Sequence, residues 1–92
     1  MAIKTVRRYF LRKSQELDRR WLPSLAGAYR AKQDATSGTP LPATFPFYDR
    51  LAATRYTTRE DLDGATLEEL MTFVGLNRRD AQAVLDATAA FL

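Results

Sequence analysis

Apolar side chains near the start of the chain recur at Ile3, Val6, Phe10, Leu17, Trp21 and Leu25. Steps of three, four or seven residues place them on one stripe of an α-helix. The pattern predicts a long amphipathic N-terminal helix, interrupted in mid-stripe by Lys13 and Ser14. Arg8, Arg12 and Arg19 line up on the opposite face at spacings of four and seven, with Arg7 and Arg20 on its flanks. Pro23 lacks an amide hydrogen, so a kink or a fresh helical turn is expected there. Ser24 to Gln33 continues helical, with Gly27 as its weak point.

Residues 34–46 differ in kind. Ser37, Gly38, Pro40, Pro42 and Pro46 fall without periodicity, which predicts a linker of extended character. Phe45 and Phe47 bracket Pro46 and are expected to anchor its end to the core. Residues 47–92 are dense in helix starts and stops. Pro46 suits the first turn of a helix running to about Tyr56. Thr57 followed by Glu60 has capping-box spacing and predicts a short helix ending at Gly64. Thr66 followed by Glu69 repeats the pattern and opens a helix from Leu67 to Val74, stopped by Gly75. Asn77 followed by Asp80 caps the last helix, where Ala81, Val84, Leu85 and Thr88 share a face. No alternating strand pattern occurs. The expected class is therefore all-α: a basic N-terminal helix or arm (1–33), a proline-containing linker (34–46) and a bundle of short helices (47–92).

Charge changes this picture more than composition does. Hydrophobic residues at 46% of a 92-residue chain are enough for one small core. The net charge of +3 hides an asymmetry. Residues 1–33 hold nine Lys and Arg against Glu16 and Asp18, a balance of +7; residues 34–92 hold five Arg against nine acids, a balance of −4. Such a division suggests that the first segment has an anionic partner: a nucleic acid, an acidic protein face, or the acidic half of a neighbouring copy. Glu16 and Asp18 argue against a membrane surface as that partner. No apolar run approaches a membrane span, and Met1-Ala2-Ile3-Lys4 does not resemble a signal peptide. The expected location is the cytoplasm, or an assembly built there.

Catalytic chemistry finds no support in the residues. Histidine and cysteine are absent, which removes the commonest general base, the thiolate ligands and any disulfide. Ser14, Ser24 and Ser37 have no histidine to activate them. Asp61-Leu62-Asp63-Gly64 with Glu68 and Glu69 lacks the ligand spacing of a calcium loop. No enzyme activity, cofactor or metal is expected.

Two helices joined by Val74-Gly75-Leu76-Asn77 and followed by Arg78-Arg79-Asp80-Ala81, with Leu51 to Leu62 preceding them, resemble the helix-hairpin-helix superfamily. The order is similar to that of domains such as the C-terminal domain of the bacterial RNA polymerase α subunit, and the resemblance covers about Phe47 to Phe91. Capped short helices of this kind also occur in SAM-like interaction domains. The resemblance implies binding to nucleic-acid backbone through hairpin amides. Gly75, Leu76 and Asn77 would form the hairpin, with Arg78 and Arg79 beside the phosphate. Asn77 stands where the family has its second hairpin glycine, and Arg55 where a glycine precedes the second helix.

Two functions are consistent with these residues. The first is a non-catalytic protein–protein adaptor or structural subunit of a larger assembly. Its interface would be drawn from Ile3, Val6, Phe10, Leu17, Trp21, Leu25, Phe45 and Phe47, with other protein subunits, including copies of itself, as partners. Trp21, Tyr9 and Phe10 serve in that reading either as interface anchors or as packing between the first helix and the bundle. The alternative is a sequence-nonspecific DNA-binding accessory protein. It would use Gly75, Leu76, Asn77, Arg78 and Arg79 together with the face of Arg8, Arg12 and Arg19.

Overall fold

The computed structural model describes Ala2 to Phe91; Met1 and Leu92, the outer ends of the first and last segments, lie outside the described residues. The fold is all-α. Among the described residues the only β pairing is an isolated bridge between Pro40 and Thr58. Two compact units divide the chain, residues 1–38 and 39–92.

The first unit is a helical hairpin of α1 (Ile3–Arg19) and α2 (Pro23–Ala35). The long amphipathic helix forms over Ile3–Arg19, and the break expected at Pro23 is a full reversal of the chain, for a local reason. Leu22 N–H donates to Leu17 O at 3.0 Å and Trp21 N–H to Asp18 O at 3.1 Å. This crossed pair closes a Schellman turn, with Trp21 in the left-handed conformation at φ +61°. Pro23 then occupies the first turn of α2, where a missing amide hydrogen costs nothing. The chain reverses within Arg20–Leu22, and α2 runs back along α1.

The buried face of α1 shares Leu17 with the apolar stripe and is otherwise rotated away from it. Arg7, Leu11, Ser14, Gln15 and Leu17 are buried, whereas Ile3, Trp21 and Leu25 are exposed. Arg7 is the key to this rotation. Its Nη1 donates to Gln33 O at 2.7 Å and also to Thr36 O. A guanidinium thus adds a second donor to Gln33 O, which already accepts the Thr36 amide, and supplies one to Thr36 O at the C-terminal end of α2, where positive charge also complements the helix dipole. Arg30 pairs with Asp18 across the hairpin. Ser14 turns its hydroxyl back to Leu11 O at 2.7 Å, so its burial leaves no unmet polar group. On another side of the hairpin, Tyr9, Phe10 and Tyr29 form a ring cluster with centroids 5.6 to 6.4 Å apart.

The second unit begins with a strap rather than a free linker. Asp34 and Ala35 already belong to α2, and from Thr39 onward the chain is packed. Leu41 and Phe45 are buried, and Leu41 N–H donates to Thr57 O at 3.3 Å. Glu60 binds the start of the strap twice, at Thr39 N (2.6 Å) and Thr39 Oγ1 (2.9 Å). The strap leads into α3 (Tyr48–Ala53), α4 (Arg59–Leu62), α5 (Leu67–Glu69), which continues into one π-helical turn over Leu70–Val74, and α6 (Arg78–Ala90). Leu51, Tyr56, Leu62, Leu70 and Val84 are its largest fully buried apolar side chains. Within this core Tyr56 Oη donates to Glu69 Oε2 at 2.7 Å, giving a buried carboxylate a partner.

The helix expected from Pro46 to about Tyr56 is shorter, Tyr48–Ala53, with Pro46 outside it and Phe47 left-handed at φ +57° at its start without a side-chain cap. The later helix starts follow the capping logic, with one shift. Thr66 and Asn77 cap α5 and α6 through Glu69 N and Asp80 N. The first cap is Thr58 with Asp61, one residue beyond the expected Thr57 with Glu60. The Asp61 carboxylate collects Thr57 N–H and Thr58 N–H at 3.2 and 3.1 Å. Glu60, displaced from that task, is the residue that binds Thr39.

Candidate functional site

The residues singled out in the sequence fall into three places. The glycine hairpin lies wholly within the second unit. Gly75 takes φ +80°, and a Cβ there would lie 3.1 Å from Arg50 Nη2. The positive φ favours glycine, and a Cβ would push the Arg50 guanidinium aside by a few tenths of an ångström. The Arg50 guanidinium is there for a reason: it donates to Val74 O at 3.2 Å and Gly75 O at 2.9 Å, closing the carbonyl end of the preceding helix. Nothing in the sequence pattern marks Arg50 for this role. Leu76 is buried as the apolar plug of the turn. Asn77, at φ −76°, is extended rather than left-handed and spends its side chain on Asp80 N at 2.8 Å. That bond occupies one of the amides a phosphate would need. Arg78 and Arg79 are exposed on the first turn of α6. Arg55, the other position at which the family resemblance calls for glycine, does adopt a glycine-like φ of +78°. It closes a second Schellman turn, with Tyr56 N–H donating to Leu51 O at 2.9 Å and Arg55 N–H to Ala52 O at 3.3 Å.

The arginine face of α1 is partly as expected. Arg12 and Arg19 are exposed and Arg8 is half-buried. Arg7, expected on its flank, is buried beneath the α2 carboxy end and is structural.

The expected apolar interface breaks apart. Leu17 is buried, and Phe45 packs within the second unit against Phe91 at 6.2 Å between ring centroids. Neither presents a surface. Val6 and Phe10 are half-buried. Trp21, at the turn of the hairpin, is 89% exposed, and Leu25 and Leu22 beside it are exposed too. Arg19 and Arg20 flank them. Ile3 and Tyr9 are exposed elsewhere on α1, and Phe47, expected to anchor the end of the linker to the core, is exposed as well. Leu22 went unrecognised in the sequence because it lies off the helical stripe; only the turn brings it beside Trp21.

Trp21 combines two costs. An unconstrained side chain would avoid φ +61°, and a left-handed L-residue is less stable by roughly 1–2 kcal/mol. A large indole left in water also forgoes its burial. Strained backbone persists where surrounding structure imposes it, and it clusters at binding and switch sites. The basic, aromatic tip of the hairpin is therefore the candidate site.

Other chemistry is thin. Among the described residues no cluster of acids is arranged to hold a metal ion, and Asp61 and Glu69 are already engaged in a cap and in the Tyr56 bond. A groove of about 300 Å³ opens in the second unit, lined by Arg59, Leu62, Asp63, Ala65, Leu85 and Ala89 among others. No helix among the described residues is long and apolar enough to cross a membrane. No protein-family model matches the chain, and neither a curated protein nor a solved structure matches it.

Proposed function

We propose that this protein is a non-catalytic adaptor or structural subunit that docks on other protein subunits through the tip of its helical hairpin. The observation that carries the reading is Trp21: 89% exposed and held in a left-handed turn between Arg20 and Leu22. Tryptophan and arginine are the residues most enriched where interfaces concentrate their binding energy. A tip bearing Trp21, Leu22 and Leu25 between Arg19 and Arg20 has that chemistry. The experiment is affinity capture from the native host with wild-type and Trp21→Ala baits, with and without nuclease. Specific partners retained after nuclease and lost with Trp21→Ala support docking at the tip. An identical set of partners on both baits removes the tip from the function.

A second reading, sequence-nonspecific DNA binding, has its own observation in the second unit. Gly75 is left-handed and Arg78 and Arg79 are exposed beside it, in keeping with the resemblance to helix-hairpin-helix proteins. Binding of that kind weakens steeply with salt. A gel-shift series on random duplex that shows no complex even at low salt eliminates it.

A further inference from the structure

The two units carry opposite charge. Residues 1–38 hold nine Lys and Arg against three acids, a balance of +6; residues 39–92 hold five Arg against eight acids, a balance of −3. Each also has a feature that is open within its own unit. In the first it is the protruding tip of Trp21, Leu22 and Leu25. In the second it is the groove under α4 and α6, whose apolar lining is Leu62, Ala65, Leu85 and Ala89. Its volume of about 300 Å³ sits at the low end of cavities that hold an organic ligand, enough for one indole ring and not for a helix.

We propose, resting on the docking reading above, that the occupant of this groove is Trp21 of a second copy of the chain. Tip and groove match in three respects. The reversal at Arg20–Leu22 places one large aromatic side chain, Trp21 at 89% exposure, at the turn between the helices. Arg59 lines the groove, and a guanidinium against an indole face is a favourable cation–π arrangement. Asp63 also lines it, as an acceptor for the indole N–H or a counter-charge for Arg19 and Arg20.

Because the two surfaces differ, the contact is heterologous. Every copy that docks its tip leaves its own groove open, so association continues head to tail unless the rotation closes a ring. Such a contact makes a structural subunit out of a chain of only 92 residues.

Sedimentation velocity over a wide concentration range tests the proposal on the full chain. The wild type should show a weight-average mass that climbs with concentration, less steeply at high salt because opposite charges contribute. Trp21→Ala removes the knob and should weaken association about thirtyfold or more, as for a central interface tryptophan. Ala89→Arg fills the groove from an exposed helical position and repels Arg19 and Arg20. It should be monomeric with an unchanged circular-dichroism melt. The deciding measurement mixes the two variants. Trp21→Ala retains a groove and Ala89→Arg retains a tip, so an equimolar mixture should form a heterodimer and stop there. A wild type that stays monomeric, a Trp21→Ala that associates as strongly as wild type, or a mixture with no heterodimer overturns the proposal. A monomeric wild type whose captured partners still depend on Trp21 leaves the docking reading standing without self-association. Loss of both removes both.

Discussion

The two units are stabilised in different ways. Among the described residues of the hairpin, Leu11, Leu17 and Ala26 are the buried apolar ones, against four buried polar ones: Arg7, Ser14, Gln15 and Gln33. In the bundle ten buried apolar residues stand against four polar ones, and three of those four are committed to caps or to Tyr56. The bundle is held chiefly by hydrophobic burial, which is non-directional and tolerant of exchange among similar side chains. The hairpin depends on directional bonds, above all those of Arg7. A pairing fixed by a few such bonds keeps its geometry while leaving apolar side chains outside, as the exposed Trp21, Leu22 and Leu25 do.

The largest effect should come from emptying the bundle core. Leu70 is fully buried, and Leu70→Ala should destabilise the second unit by about 2–5 kcal/mol, the range for a buried leucine cut to alanine. Urea denaturation measures the loss, and amide exchange locates it. If protection falls equally in α1 and α2, the units do not unfold independently and the contrast between them fails.

The converse test removes the polar pin. Arg7→Met keeps most of the buried stem and deletes the donors to Gln33 O and Thr36 O. Gln33 O is left with the Thr36 amide alone and Thr36 O loses the guanidinium, at a cost of roughly 1.5–3 kcal/mol for hydrogen bonds to a charged group. Exchange should accelerate across α2 and leave α6 protected. A neutral or stabilising result would mean that the hairpin is held by its few apolar contacts after all.

These two substitutions also mark what the sequence could and could not show. Helix starts were legible wherever a side chain acts on its own turn. Asn77 with Asp80, Thr66 with Glu69 and the stop at Gly75 depend only on residues three or four apart. The one-residue error at Thr58 has the same origin. Thr57/Glu60 and Thr58/Asp61 have identical spacing, and the choice falls to Thr39, which is distant in sequence and claims Glu60. Pro23 marked the fresh helix start, but the reversal before it was not legible, because left-handed turns are signalled by glycine or asparagine and here the position is Trp21. Arg7 was read as surface charge, since an arginine that caps another helix is indistinguishable in sequence from a solvated one. The candidate tip was half legible: Trp21 and Leu25 stood in the apolar stripe, while Leu22 lay off it and became part of the tip only through the left-handed turn.

A smaller effect separates strain from stickiness at the tip. Trp21→Gly should relieve the left-handed backbone and raise hairpin stability by about 0.5 kcal/mol, the relief being partly offset by the greater freedom of glycine in the unfolded chain. Trp21→Ala keeps the strain, so it should not stabilise. Arg55→Gly is the matching change in the bundle, at φ +78°. It should gain less than Trp21→Gly, because Arg55 is half-buried and also gives up packing. Thermal melts of the three variants rank them. Were Trp21→Gly and Trp21→Ala equal, the exposed indole would carry no backbone strain, and only its exposure would mark the site.

The smallest effect probes the boundary between the units. Partial burial pushes the Glu60 carboxyl upward, but the Thr39 amide, its own amide, the Thr39 hydroxyl and the charge of Arg59 outweigh it. The pKa is lowered from the usual 4.5. A carboxylate with a depressed folded value contributes stability that is fully present above its unfolded value. That contribution is lost as pH falls from about 4.5 through the lower folded value. Glu60→Gln cannot titrate. At pH 6 it should be less stable than wild type, and the gap should close as the pH is taken to 3. Urea denaturation at intervals across that range reads the difference directly. Amide exchange at Leu41 supplies the structural side, since its N–H bonds Thr57 O in the strap that Glu60 fastens. If the gap stays constant with pH, or Leu41 exchanges no faster in the variant, Thr39 is held by other contacts. The bundle then begins further along the chain than the Glu60 clasp indicates.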